Sequence, residues 1–197
     1  KSKEIWGVSC PIFIRSIAME GGMGPVAGSS HHSIYQRMPG TKILSPMTPK
    51  EYRYSYEQFM LDDEVYYISE HRKSYDNTDE FEDIYLEKSD IVLFPISVTR
   101  FAAEEARKRL KSNGLKVSII HQLWIKPFIF SNKWKNCLNN SKFGGIVLDD
   151  DYEQGVASSM AHKMMLQTDK NVYTLGLDHR TAGFHQTVDN LPPDPEK

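Results

Sequence analysis

The chain has 197 residues, 40% of them hydrophobic and 25% charged, with 24 basic residues against 26 acidic ones. That composition excludes wholesale disorder, and the near-neutral balance excludes a nucleic-acid binder that works through a broad basic field. No apolar run approaches the roughly 20 residues of a membrane-spanning helix, and Cys10 and Cys137 are too few for a disulfide scaffold or a thiolate-only metal site. The start at Lys1-Ser2-Lys3, without an initiator Met or signal peptide, reads as a piece of a longer chain.

Cys10 precedes a short β-branched run, Pro11 to Arg15, that reads as a buried strand with the cysteine as a small buried hydrophobe. Four glycines, a proline and two serines make Glu20 to His32 a loop. Pro39-Gly40 marks a turn, and Thr41 to Ser45 reads as a second strand. Thr48, Pro49 and Glu51 form a complete helix start: an N-cap, a proline at the first helical position and a capping-box glutamate. The helix is predicted to reach Leu61, with Tyr52, Tyr56, Phe59 and Met60 on one side. Val65 to Ile68 is the next strand, which completes a βαβ unit with parallel neighbours.

The polar stretch from His71 to Ser89 lacks periodicity and reads as a linker. A second α/β pattern follows it. Asp90 to Phe94 is a strand, Phe101 to Asn113 an amphipathic helix stopped by Gly114, and Leu115 to His121 a strand. Trp134 to Asn139 reads as a short helix. Gly145 to Asp149 is a strand, Gln154 to Gln167 a helix, and Val172 to Gly176 the last strand. Alternating strands and helices in both halves place the chain in the α/β class.

The adjacent pair His31-His32, after the glycine-rich loop, carries the clearest chemical signal. Imidazole titrates near neutrality and can pass a proton to or from a carbonyl-derived group. The remaining five histidines form no recognised metal-ligand spacing, so no metal site is predicted; His162 is expected to pack or face solvent. Asp149-Asp150-Asp151 is expected to be an exposed strand end or a helix cap. No glycine stretch matches a nucleotide fingerprint.

The order of motifs resembles the transketolase-like thiamine diphosphate enzymes. It resembles most the beta subunit of the decarboxylating component of 2-oxo acid (pyruvate) dehydrogenase complexes. The likeness runs through Pro11 to Arg15, the glycine-rich loop, Ser30-His31-His32-Ser33, Pro39 to Pro49 and Val65 to Glu70. In the second half it runs through Asp90 to Thr99, Gly114 to Val117, Gly144 to Asp150 and Gly155-Val156-Ala157.

The resemblance implies that residues 1–73 are the C-terminal part of a pyrimidine-binding domain, 74–89 a linker and 90–197 a transketolase-type C-terminal domain with a mostly parallel sheet. It implies that His32 is the active-site histidine, with His31 taking its place under a one-residue shift. It further implies thiamine diphosphate with Mg2+, in a site shared with an alpha subunit and with preceding residues. The glutamate that activates the aminopyrimidine and the diphosphate–magnesium motif have no counterpart in this sequence. The implied reaction is decarboxylation of a 2-oxo acid and transfer of the acyl group to a lipoyl arm. The implied partners are an alpha subunit, a second beta chain and a lipoyl acyltransferase core, in a bacterial cytoplasm or a mitochondrial matrix. A transketolase or deoxyxylulose phosphate synthase relative, and a non-catalytic structural or regulatory subunit of the same fold, are the alternatives.

Overall fold

The computed structural model describes residues 2–19, 27–183, 185 and 190–196. Most of the glycine-rich loop, residues 20–26, and parts of the C-terminal tail lie outside the described residues. A short helix α1 (Ser2–Trp6) precedes strand β1 (Ile12–Ala18). Then come α2 (His32–Gln36), β2 (Thr41–Leu44), α3 (Pro49–Met60) and β3 (Val65–His71). The second half holds β4 (Ile91–Pro95), α4 (Thr99–Ser112), β5 (Val117–Ile119), β6 (Trp124–Lys126), α5 (Asn132–Asn139), β7 (Gly145–Tyr152), α6 (Val156–Met165) and β8 (Val172–Leu177). Among the described residues, no helix is long and apolar enough to cross a membrane.

The strands form two four-stranded sheets, in the orders β1-β3-β2-β6 and β5-β4-β7-β8. All neighbours are parallel except β6, which runs antiparallel to β2. This is the mixed α/β architecture, with mostly parallel sheets, that the alternation predicted. The Thr48 half of the capping box forms as read, while Glu51 reaches one residue further back, to Met47. Thr48 Oγ1 accepts from the Glu51 N–H, and Glu51 Oε2 accepts from the Met47 N–H at 2.8 Å, so α3 starts where its polar N–H groups find side-chain acceptors.

Three expectations are corrected. Cys10 is exposed, because β1 begins only at Ile12 and lies at the edge of its sheet. Met60 and Tyr56 are exposed on α3; Tyr56 instead stacks on Phe13 of β1, with ring centroids 4.7 Å apart. Strand β6 had no sequence signal. It comes from the second half of the chain yet closes the first sheet, where Trp124 and Lys126 pair with Leu44 and Ile43.

The core follows the same crossing. Ile43 and Tyr67 of the first sheet pack in one buried cluster with Val92, Phe94 and Val147 of the second and with Met160 of α6. Each such side chain contributes roughly 1.5–3 kcal/mol of burial. A polar tie reinforces it. Arg100, in the first turn of α4 and wholly buried, donates from Nη1 to both Glu51 carboxylate oxygens at 2.7 and 2.6 Å. Its Nη2 donates to the Ser45 and Gln122 carbonyls.

Candidate functional site

Strand β7 delivers Asp149, Asp150 and Asp151 at its C-terminal end, where parallel sheets gather polar site residues. Its pairing with β8 shifts register between Leu148 and Tyr152, so the acidic run sits at an irregularity of the ladder. The three aspartates are 0%, 1% and 2% exposed, which corrects the expectation of an exposed strand end. Each has a reason to be inside. Asp151 accepts from the backbone N–H groups of Ser33 and Tyr152, at 3.0 and 2.8 Å. Asp150 Oδ2 accepts from Ser97 Oγ at 2.8 Å, and Asp149 Oδ2 lies 3.0 Å from His32 Nε2.

His32 is therefore not on a solvent-facing loop. It is the first residue of α2, wholly buried, with Nδ1 3.1 Å from Ser69 Oγ of β3. Tyr35 of the same helix stacks on Tyr67, ring centroids 4.0 Å apart, which presses α2 onto the first sheet. Burial alone would lower the His32 imidazole, but the carboxylates of Asp149, Asp151 and Asp150 outweigh it and hold it up at about 9. Burial, reinforced by the Asp149 charge, pushes the Asp150 carboxyl up to about 7.

His31 points elsewhere. Its backbone is left-handed, φ 57°, and Ser29 Oγ lies 2.9 Å from its Nδ1. Among the described residues, His31 and Ser97 are the non-glycine positions with positive φ, and both border this region. Such conformations cost on the order of 1–2 kcal/mol and persist where surrounding contacts impose them. His31 lines a cleft of about 430 Å³ with Ser33, Asp151, Tyr152, His179 and Arg180. A larger cleft of about 640 Å³, beside Arg107 of α4 and Val117 of β5, holds no histidine. His179 and His185 are both exposed, and His179 reaches the His31 cleft; His162 is exposed on α6.

Close packing holds the two neighbouring helices together. Ser33 Oγ accepts from the Val156 N–H at 2.9 Å, so it caps α6. A Cβ on Gly155 would stand 1.9 Å from that oxygen, so this approach requires glycine.

Ser69 and the buried aspartates around His32 were missed from the sequence, as was Ser97 as the partner of Asp150. The available signal was an acidic triplet directly after the apolar strand Gly145 to Leu148, at the C-terminal edge of a parallel sheet.

The described residues do not by themselves make the thiamine diphosphate and Mg2+ site that the resemblance implies. Among them, the group of His, Cys, Asp and Glu side chains able to hold an ion is His32, Asp149 and Asp150. All three are sealed from solvent, which leaves no approach for a diphosphate.

The fold is that of the transketolase-type α/β proteins. No family model matches the sequence, and no curated protein matches it. Solved structures do. A split-gene transketolase, described as an inactive beta4 tetramer, superposes with a TM-score of 0.65 at 14% identity, over 84% of this chain and 56% of its own. A transketolase from Campylobacter jejuni gives 0.67 at 12% identity, over 89% of this chain and 28% of its own. The chain thus spans about half the length of the first and little more than a quarter of the second.

Proposed function

We propose that this chain is a beta-type subunit of a thiamine diphosphate-dependent enzyme that decarboxylates a 2-oxo acid, with an alpha-type partner completing its site. The ordered motifs of both halves support the reading, as does a fold likeness that covers most of the chain. The split-gene transketolase is an instance of such a division, since its beta4 tetramer is described as inactive. Cofactor and Mg2+ would be held mainly by the partner. The acyl group would pass to the lipoyl arm of an acyltransferase core, and beta chains would pair with each other.

The observation that carries this chain's own part is that His31, not His32, faces a cleft. There the His31 imidazole offers a proton donor or acceptor, and Arg180 brings a guanidinium suited to a carboxylate. His32 is reassigned from proton transfer to holding α2 against β7. Its burial also favours a second reading: a non-catalytic subunit that keeps the fold and its partner contacts.

The test is co-expression with a candidate alpha chain, followed by carbon dioxide release from a panel of 2-oxo acids. The expected result is activity only in the complex, reduced about 10²–10⁴-fold by His31→Ala. A rate within about twofold of the original in that variant would overturn the role of His31. A stable complex that decarboxylates nothing would select the second reading, and turnover of a ketose phosphate instead would make the enzyme a transketolase.

A further inference from the structure

The cluster around His32 is short of positive charge. Three carboxylates and one imidazole share a space closed to solvent. Asp149 Oδ1 and Asp150 Oδ1 have no hydrogen-bond partner among the described residues. Ser30, 2% exposed, follows the same pattern: its Oγ has no hydrogen-bond partner among the described residues. Buried carboxylate oxygens without donors are costly, and folded proteins settle that cost with a retained proton, a paired cation or a metal ion.

The donor atoms are close enough together to share one ion. His32, Asp149 and Asp150 each bring one ligand atom to within 4.8 Å of the others. His32 Nε2 and Asp149 Oδ2 are 3.0 Å apart. That is the separation of a hydrogen bond, and also about that of two donors roughly 2.1 Å from one six-coordinate ion at a right angle; tetrahedral Zn2+ would spread them to about 3.4 Å. The other ring nitrogen, Nδ1, meets the Ser69 hydroxyl at 3.1 Å, the outer contact that orients a ligating imidazole, and Nε2 would exchange its contact with Asp149 for the ion.

We propose that His32, Asp149 and Asp150, with Ser30 alongside, bind one divalent first-row transition ion, Zn2+ or Mn2+, that pins α2 to the end of β7. One imidazole with carboxylates suits those ions better than Mg2+ or Ca2+, which take oxygen alone. The ion is structural, because its three ligands are buried, and it is taken up as the chain folds. This inference does not depend on the proposed enzymatic role.

The experiment uses the full chain, purified without chelator and analysed for metal by mass spectrometry. It is then stripped and titrated with ZnCl2, MnCl2 and MgCl2. About one Zn2+ or Mn2+ per chain is expected, with a higher melting temperature than in the stripped protein. Asp149→Asn and Asp150→Asn, near-isosteric changes, are each expected to weaken binding at least about tenfold, and exposed His162→Gln to leave it unchanged. Substitution with Co2+ gives a readout on the unmutated chain: visible d–d bands that Asp150→Asn alters. Less than about 0.1 ion per chain, no Co2+ bands, or unchanged affinity in Asp150→Asn would overturn the proposal. A stripped Asp150→Asn protein that is more stable without any loss of metal affinity would show that the cluster holds a proton only.

Discussion

Arg100 and His32 are both wholly buried, and each reaches from one half of the chain into the other. Arg100 of α4 crosses to Glu51 and to the Ser45 carbonyl, so one guanidinium meets one carboxylate and its amino groups end on carbonyls. His32 of α2 crosses to Asp149, with Asp150 and Asp151 at its side, so one imidazole meets three carboxylates. The difference is charge closure. The first cluster balances one cation against one carboxylate and holds the halves together, although Arg100 Nε, Ser45 Oγ and Gln122 Oε1 find no hydrogen-bond partner among the described residues. The second holds the halves as well but sets three carboxylates against one imidazole, which is why it is the candidate site.

Breaking the closed cluster should have the largest effect. Arg100→Leu strands Glu51 and two carbonyls, and a loss of about 3–5 kcal/mol in urea denaturation is expected. A loss below about 1 kcal/mol would mean that the tie is replaceable. The next test contrasts two buried histidines. His71, at the end of β3, is held by burial down at about 4, with no carboxylate among the described residues raising it, and its Nδ1 accepts from the Lys73 N–H. The unfolded chain therefore binds the proton first. Stability is full above about pH 6.5 and falls as pH drops toward about 4, by roughly 2–3 kcal/mol. His71→Asn should flatten that slope in thermal melts recorded across this range; an unchanged slope would assign it to other groups.

At the open cluster, Gly155→Ala drives a methyl into Ser33 Oγ and displaces the start of α2. About 1–3 kcal/mol is expected by chemical denaturation, with a normal stability arguing that α2 moves freely. The smallest effect belongs to Thr48→Ala, about 1 kcal/mol for a lost N-cap, provided that Glu51 keeps its contacts to Arg100. A larger loss in the same denaturation assay would mean that the cap also positions Glu51 for the closed cluster.

What the sequence made legible was local. Thr48-Pro49-Lys50-Glu51 predicts its helix start because every partner lies within one turn. Apolar runs such as Ile91 to Phe94 and Gly145 to Leu148 predict strands for the same reason. Strand β6 was invisible because three residues carry too little periodicity, and its pairing with β2 lies some 80 positions away. The acidic triplet was misread because its burial depends on His32, separated by 117 positions, and on a register shift that no residue pattern marks. His31 and His32 could not be told apart, since only the left-handed backbone at His31 turns one outward and the next inward.

Strand β6 bears on how the chain is made. The three parallel strands of the first sheet have all been synthesised once residue 71 is reached, yet the sheet's β2 edge stays open until residue 126. A ribosome adding about 5–20 residues per second leaves that edge uncovered for several seconds while β4 and α4 emerge. The first half of this protein is thus an unfinished surface during its own birth, completed by a segment borrowed from the second.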